Sequence, residues 1–308
     1  MKGKAIDRKK VLKKCLGNWQ LYLMILPALI YLILFEYKPM YGIQIAFREF
    51  NFRDGITGSP WVGLDNFKRL FNSYWFPIIL KNTLTLSVTR LVFGFPLPII
   101  FALMVNELSN GKIKKLVQTV SYAPHFISTV VMCGMIILLL TPETGLINIA
   151  IEAFGGESIA FMQKPEMFKW IHVISGIWQG TGWSAIIYFA ALSGVDKSLL
   201  EAAEIDGANR LQRIRYINFP VLVPTITIQL ILSMGSILSV GYQKILLLQN
   251  TMNLNASEVI STYVYKVGLN NYQYSFSTAT NLFNSLVNCI ILITVNYLAK
   301  KATKQSLF

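Results

Sequence analysis

Residues 201–220 read Glu201-Ala-Ala-Glu-Ile-Asp-Gly207-Ala-Asn-Arg-Leu-Gln-Arg-Ile-Arg-Tyr-Ile217-Asn-Phe219-Pro220, a polar segment between two apolar runs. Ser198 and Glu201 have the spacing of a capping box, in which each side chain bonds the other residue's backbone amide. This spacing predicts a helix from Ser198 to about Asp206. Glycine readily adopts the left-handed conformation that ends a helix, so we expect Gly207 to turn the chain into a second short helix.

The composition of the chain places it among membrane proteins. Of its 308 residues, 54% are hydrophobic and 14% are charged, and the mean hydropathy is +0.49. A soluble domain carries about 25% charged residues. The basic N-terminus leads into an apolar run without a small-residue cleavage pattern at its end. This favours an uncleaved first transmembrane helix over a signal peptide.

Six apolar stretches have about the 20 residues that a helix needs to cross a bilayer. They are residues 19–37, 84–105, 117–140, 170–191, 221–242 and 282–298. Backbone groups in lipid must be satisfied within the segment, so each stretch is predicted to be a helix. The segment that follows the first stretch, 38–83, is rich in aromatic residues, which predicts an ordered external loop that folds back on the membrane.

The basic residues predict the orientation of these six helices. Segments 1–18, 106–116, 192–220 and 299–308 together carry 17 Lys or Arg residues against six acidic ones. Short basic loops stay in the cytoplasm, so both termini are predicted to be cytoplasmic. The net charge of +13 is then mainly a topology signal, and we do not expect nucleic-acid binding.

The segment 201–220 resembles the EAA loop of ATP-binding-cassette importer permeases, in which Glu-Ala-Ala is followed by Gly and then by Ile-x-Leu-Pro. The matching positions are Glu201, Ala202, Ala203, Gly207, Ile217 and Pro220. Phe219 stands where the family usually has Leu. Residues 61–67, Trp-Val-Gly-Leu-Asp-Asn-Phe, resemble an outer-loop signature of sugar permeases. Residues 39–47 and 257–265 resemble the polysaccharide and complex-carbohydrate permeases.

The resemblance covers nearly the whole chain and implies a MetI-like all-α permease with six transmembrane helices in a bacterial cell membrane. It implies a second, homologous permease subunit, two ATPase subunits, an extracellular solute-binding lipoprotein and a carbohydrate substrate. The residues that it implies for the ATPase contact are Glu201, Ala202, Ala203, Asp206, Gly207 and Arg210. The expected organisation is a basic N-terminus (1–18), a first helix with its external loop (19–83), a permease core (84–298) with the coupling loop 198–220, and a tail (299–308).

The chain lacks the Gly-x-x-x-x-Gly-Lys-Ser/Thr loop that cradles nucleotide phosphates. We therefore expect it to be a non-catalytic transport subunit that holds no cofactor of its own. ATP and magnesium are expected in the partner ATPases. The energy for transport would then have to reach this chain through the helix at 198–207.

Polar and aromatic side chains inside the predicted spans are the candidates for a sugar pathway, since sugars combine hydroxyl groups with apolar ring faces. The candidates are Trp178, Gln179, Trp183, Tyr188, Asn281, Asn284, Asn288 and Arg90. The three asparagines share one helix face. Each type has a structural alternative: asparagines bond neighbouring helices, tryptophans anchor at the membrane interface, and an arginine near a helix end snorkels outward.

The sequence leaves three other functions to consider. A secondary carrier would favour carboxylates inside the spans for ion coupling, and the six stretches contain none apart from Glu36 at the end of the first. A membrane-embedded enzyme would need paired carboxylates, a metal cluster or a nucleophile with its base. A permease for a non-sugar solute, such as a phosphate ester or a peptide, is opposed only by the resemblance to sugar permeases.

Overall fold

The chain folds into helices joined by short turns. The structure is a computed structural model, and it describes residues 17, 19–303 and 306–307. Nearly all of the predicted cytoplasmic segment 1–18 lies outside the described residues. The helices are α1 Trp19–Phe47, α2 Gly55–Gly58, α3 Asp65–Phe71, α4 Trp75–Asn106, α5 Gly111–Phe126, α6 Thr129–Leu139, α7 Leu146–Ala153, α8 Pro165–Leu192, α9 Lys197–Ile205, α10 Arg210–Gly235, α11 Tyr242–Leu248, α12 Leu254–Ser257, α13 Ile260–Tyr265 and α14 Tyr274–Thr303.

Four of these helices are long and apolar enough to cross a membrane: α1, α4, α10 and α14. They contain the predicted spans at 19–37, 84–105 and 282–298, and most of the span at 221–242. Several of the predicted boundaries differ from the structure: α1 continues beyond residue 37 to Phe47, α10 begins at Arg210, ahead of residue 221, and α14 extends from Tyr274 to Thr303. Helix α4 begins at Trp75, ahead of residue 84, and α10 ends at Gly235, where a turn leads to the separate helix α11.

The third predicted span, 117–140, is not one continuous helix. It divides into α5 and α6, which are bent by 96° at the break. Pro124 lies in the last, 3₁₀ turn of α5. The Ser128 side chain accepts a hydrogen bond from the Val131 amide at 3.3 Å and so caps a new helix. If α5 and α6 count as one broken span, five candidate spans are present among the described residues.

The fourth predicted span, 170–191, lies within α8, a helix of 28 residues. Its length suffices for a bilayer, but it is not among the helices identified by length and composition together. The reason is its content of glycine and polar residues, including Gly176, Gly180 and Thr181. These three residues line a cleft between α4, α8 and α10. Residues that lower the hydropathy of α8 are thus among those that face the cleft.

The segments predicted to be external pack onto the helices. In the loop 38–83, the rings of Phe47 and Trp61 stack with centroids 5.6 Å apart. The Phe50 amide donates to the Ser275 hydroxyl of α14 at 2.8 Å. Near α13, the Ile260 amide donates to the Thr83 hydroxyl of α4 at 3.0 Å. The aromatic loop is thus ordered, as its composition predicts.

Helix α8 lies at the centre of the packing. One buried cluster joins it to α4 and α10 through Ala102, Ala185, Tyr188 and Leu222. On another side it meets α5 so closely that a Cβ atom on Gly182 would collide with the Ser121 carbonyl oxygen. In contrast, the segment Trp19–Leu32 of α1 has no buried residue.

Candidate functional site

The helix α9 carries the Glu-Ala-Ala sequence and begins one residue earlier than expected. Its N-cap is Asp196, whose Oδ1 accepts a hydrogen bond from the Ser198 amide at 2.9 Å. The predicted capping box of Ser198 and Glu201 is therefore wrong. A carboxylate is an acceptor as effective as a serine hydroxyl at this position, and Asp196 lies at the residue where the chain leaves its extended conformation.

The same hydrogen bonds hold the pKa of the Asp196 carboxyl below its ordinary value, because the Ser198 backbone and side chain donate to its ionised form. A depressed pKa means that folding favours the charged form. The cap therefore stabilises α9 above the ordinary carboxyl pKa, and the stabilisation is lost as the pH falls through the lower folded value.

The turn after α9 confirms the role expected for Gly207. This residue has a φ of 80°, in the left-handed region. The Ala208 amide donates to the Ala203 carbonyl at 2.8 Å, as in a Schellman cap. The next helix, α10, starts at Arg210, and its N-cap Asn209 forms a capping box with Gln212. It runs on to Gly235, so the expected second short helix is the first part of the fifth span and not a separate helix. The two helices are thus fixed by caps on both sides of the glycine.

An ion pair ties this segment to the end of α4. The Glu107 carboxylate accepts from Arg213 Nη2 at 3.3 Å and from Asn218 Nδ2 at 2.9 Å. Glu107 and Arg213 are 12% and 16% exposed, and Asn218 is fully buried. A weaker contact joins Arg213 to the exposed Glu204 of α9 at 3.6 Å. The polar segment is therefore attached to α4 as well as to α8 and α10.

The outer face of α9 is not covered by any part of the chain that the structure describes. Helix α9 contains no buried residue. Large apolar side chains are exposed on it and just beyond it: Leu199 (53%), Ile205 (87%) and Leu211 (73%). Of the six residues predicted for the ATPase contact, Ala203 is half-buried and the other five are exposed. This surface is open to a partner, although contact with one stays a prediction.

A cleft of about 740 Å³ opens between α4, α8 and α10. Arg90 and Ser87 of α4 face it, with Trp183 and His172 of α8 and Gln229 of α10. Three further serines that line it come from α10 and the turn after it: Ser233, Ser236 and Ser239. The cleft thus combines hydroxyl, amide, aromatic and cationic groups at the depth of the long helices.

The structure places the predicted pathway residues of α8 in different environments. Trp183 and Tyr188 line the cleft, and the Trp183 ring is stacked on His125 with centroids 4.3 Å apart. Gln179 donates from Nε2 to the Ile127 carbonyl at 2.9 Å, which satisfies a backbone group at the break between α5 and α6. Trp178 is half-exposed and does not line the cleft.

The three asparagines of α14 do not line the cleft. Asn288 accepts from the Leu238 amide at 3.0 Å and donates to the Ser239 hydroxyl at 2.9 Å. Asn284 is buried with an unpartnered Oδ1, and Asn281 is exposed. Asn288 thus holds the turn after α10, which is the helix-bonding alternative given for these residues.

Arg90 lies near the middle of α4 and faces the cleft. It is about 15 residues after Trp75, which is about 22 Å along the helix. The shorter predicted span placed it near the outer end, from which it could snorkel. The structure instead places it at the depth of the cleft, in a π-helical turn, Arg90–Gly94. Such turns occur frequently at functional sites.

Sequence reasoning missed several residues of the cleft. Gln229, Ser233 and Ser236 are spaced i, i+4 and i+7, so they form a polar stripe on an otherwise apolar helix. The spacing that singled out the asparagines would have found them. Ser87 and His172 gave no such signal. Among the described residues, no group of His, Cys, Asp and Glu has the arrangement of a metal site.

Comparison with known proteins finds a family whose sequence pattern this chain matches. Residues 94–304, more than half of the chain, match the family described as binding-protein-dependent transport system inner membrane component. Two similar proteins come from Bacillus subtilis. The polygalacturonan/rhamnogalacturonan transport system permease protein YteP is 44% identical over 305 residues, which cover 99% of this chain and 95% of that protein. Protein LplB is 39% identical over 306 residues, with the same coverage.

A solved structure with a similar fold belongs to a bacterial ABC transporter involved in the import of the acidic polysaccharide alginate. One of its chains superimposes with a TM-score of 0.88 and 40% identity, covering 96% of this chain and 99% of that one. A second structure of an alginate transporter was solved in complex with an alginate pentasaccharide-bound periplasmic protein. Its similar chain has a TM-score of 0.88 and 39% identity.

Proposed function

The chain belongs to the family of binding-protein-dependent transport system inner membrane components, and on that premise we propose that it is a permease subunit of an ATP-binding-cassette importer for oligosaccharides or polysaccharide fragments. The relatives with the highest identity cited above support the carbohydrate class, since one is named for polygalacturonan and another belongs to an alginate transporter. The cleft also supports the carbohydrate class, since serine hydroxyls, an amide side chain and aromatic rings line it.

The observation that carries the proposal is the exposed and firmly capped helix α9. It presents Glu201 and Ala202 to solvent, and it connects α8 to α10. Both of these helices line the cleft. A partner that moves α9 as a body would therefore move two walls of the cleft. In this mechanism α9 docks on an ATPase subunit, and closure of the ATPase switches the cleft from one side of the membrane to the other.

The proposal includes the assembly around this chain. The chain forms half of the translocation pathway beside a second permease subunit, with two ATPases and an extracellular solute-binding protein. It crosses the bacterial cell membrane six times with both termini in the cytoplasm. The four or five candidate spans support this topology, and α8 has the length for the sixth. The chain itself performs no catalysis, while ATP and magnesium act in the ATPases.

A second candidate function is import of a non-sugar solute by the same mechanism. The sn-glycerol-3-phosphate transport system permease protein UgpA of Escherichia coli (strain UTI89 / UPEC) is 25% identical over 282 residues, covering 90% of each protein. Its lower identity makes the carbohydrate class the better supported one. Uptake by the reconstituted importer separates the two, when a panel of oligosaccharides is compared with sn-glycerol-3-phosphate.

Co-purification tests the coupling mechanism. The tagged chain should bring down an ATP-binding-cassette ATPase from membranes of its own host, and Glu201→Lys should abolish both this association and ATP-driven uptake. Glu152→Lys is the matched control, because Glu152 is an exposed acid of helix α7 outside the coupling segment. Normal uptake by Glu201→Lys would refute the coupling role. Absence of an ATPase from the wild-type preparation would refute the importer itself.

A further inference from the structure

Two cations at the wall of the cleft lack an acidic partner. No ion pair among the described residues includes Arg90 or Lys244. The Lys244 ammonium donates to the His172 carbonyl of α8 at 2.9 Å. It also lies close to Gly176, 3.4 Å from where a Cβ atom would stand if this residue had one. His172, Gly176 and Arg90 all line the cleft. No Asp or Glu is present among the lining residues.

An unpaired charge at this depth needs a physical explanation. Charged side chains in membrane helices are costly, and they usually pair with each other or face a water-filled path. Arg90 is exposed to the cleft, and the guanidinium makes no hydrogen bond within the described residues. The fixed positive charge of the cleft therefore has no counter-ion supplied by the described part of this chain.

Two neutral polar groups on the same wall also lack partners. The Ser87 hydroxyl and His172 Nδ1 are buried and make no hydrogen bond. Ser87 lies three residues before Arg90 on α4, so both side chains share one helix face. Buried polar atoms without partners are uncommon in folded proteins. Hydroxyl, imidazole and guanidinium groups together form a set of donors, since a neutral imidazole can place its proton on Nδ1.

We propose that Ser87, Arg90 and His172, with the positive charge of Lys244 behind them, form an anion-binding wall, which selects oligosaccharides with carboxylate groups, such as those built from uronic acids. This inference rests on the proposed function as a carbohydrate importer. The guanidinium of Arg90 forms a planar fork that matches a carboxylate, and such charge-assisted hydrogen bonds are stronger than neutral ones. Lys244 adds positive potential from behind the wall, and Trp183 offers a ring face to the sugar.

The test measures binding to the complete importer in nanodiscs, without nucleotide and without its binding protein. The probes are radiolabelled trisaccharides of galacturonate, glucuronate and mannuronate, each paired with the same sugar after reduction of its carboxyl groups to alcohols. Omitting the binding protein removes its own selectivity from the result. The variants are Arg90→Gln, which removes the charge, and Arg90→Lys, which keeps it. Lys81→Gln is the control, since Lys81 is exposed on the same helix but does not line the cleft.

At least one uronate should bind more tightly than its reduced counterpart. Arg90→Gln should weaken uronate binding by about tenfold or more, because a hydrogen bond to a charged group is lost. It should leave the reduced sugar unchanged. Arg90→Lys should retain part of the preference, and Lys81→Gln should behave as wild type. Co-purification of the partner subunits with each variant shows that the assembly has folded.

Three results would overturn the proposal. They are that the reduced sugars bind as tightly as the uronates, that Arg90→Gln weakens the binding of both equally, or that no uronate binds at all. An equal loss for both would show that Arg90 does not recognise the carboxylate. Failure of the proposed function is distinguishable, because the wild-type complex would then lack an ATPase or would take up no carbohydrate in the presence of ATP and its binding protein.

Discussion

Removal of the Glu107 carboxylate should release the polar segment from α4. Glu107 accepts two hydrogen bonds, from Arg213 at 3.3 Å and from the fully buried Asn218 at 2.9 Å. The pair is 12% and 16% exposed, so it is better shielded than a surface ion pair of about 0–1 kcal/mol. Each charge-assisted hydrogen bond contributes about 1.5–3 kcal/mol. Glu107→Ala also leaves the Asn218 amide unpaired, so we expect a loss of about 3–5 kcal/mol.

Equilibrium unfolding of the purified chain in mixed micelles measures this loss. Glu107→Gln should cost less, about 1–2 kcal/mol, since its amide oxygen can still accept from Asn218. A double-mutant cycle of Glu107→Gln with Arg213→Gln isolates the ion pair. The control is Glu204→Gln, because Glu204 is 75% exposed and lies 3.6 Å from Arg213. Its loss should stay below about 0.5 kcal/mol.

The same variants should distinguish an effect on folding stability from an effect on the coupling of ATP hydrolysis to transport. If α4 and α9 move together, Glu107→Ala should reduce uptake per ATP hydrolysed in the assembled importer, whereas Glu204→Gln should not. Equal free energies of unfolding for Glu107→Ala and Glu204→Gln would refute the energetic reasoning. A cycle with no coupling energy between Glu107 and Arg213 would refute it as well, because the close contact would then contribute nothing.

Two further predictions follow from the packing and from the cap. Gly182→Ala should lower the free energy of unfolding by about 1–3 kcal/mol, since its Cβ atom would overlap the Ser121 carbonyl and separate α5 from α8. The protection factors of the α9 amides, which compare each exchange rate with that of an unfolded chain at the same pH, should fall as the pH drops below about 3.9, the ordinary Asp value, because protonation of Asp196 weakens the cap on the Ser198 amide. Mass spectrometry of the exchanged peptides measures the second effect.

Each of these predictions has a matched control. Gly134→Ala places a Cβ atom on another helical glycine, which has no neighbour within 4 Å. It should be neutral or slightly stabilising, and an equal loss at both glycines would contradict the close approach at Gly182. Asp196→Ala should lower the protection factors of α9 at pH values above about 3.9, where the wild-type cap is intact, and remove their dependence on acid. An unchanged pH dependence in this variant would assign the effect to another group.

The polar segment shows how local signals succeed and fail. Gly207 has the left-handed conformation that its position predicted. The cap was misassigned to Ser198, because Asp196 and Ser198 are both good N-cap residues and the sequence does not say which one leaves the extended conformation. The contact of Glu107 with Arg213 gave no local signal, since 106 positions separate these residues.

The sequence by itself determined the membrane class, the long apolar helices and the family, because these depend on composition, on the length of apolar runs and on a motif within one short segment. Only the tertiary structure decided which side chains face the cleft. Helical spacing places Asn281 and Asn288 on one face but does not give the rotation of that face toward its neighbours. Packing against neighbouring helices places Asn288 against the turn after α10, and it places Arg90 at the cleft, where its charge has no acidic partner among the described residues.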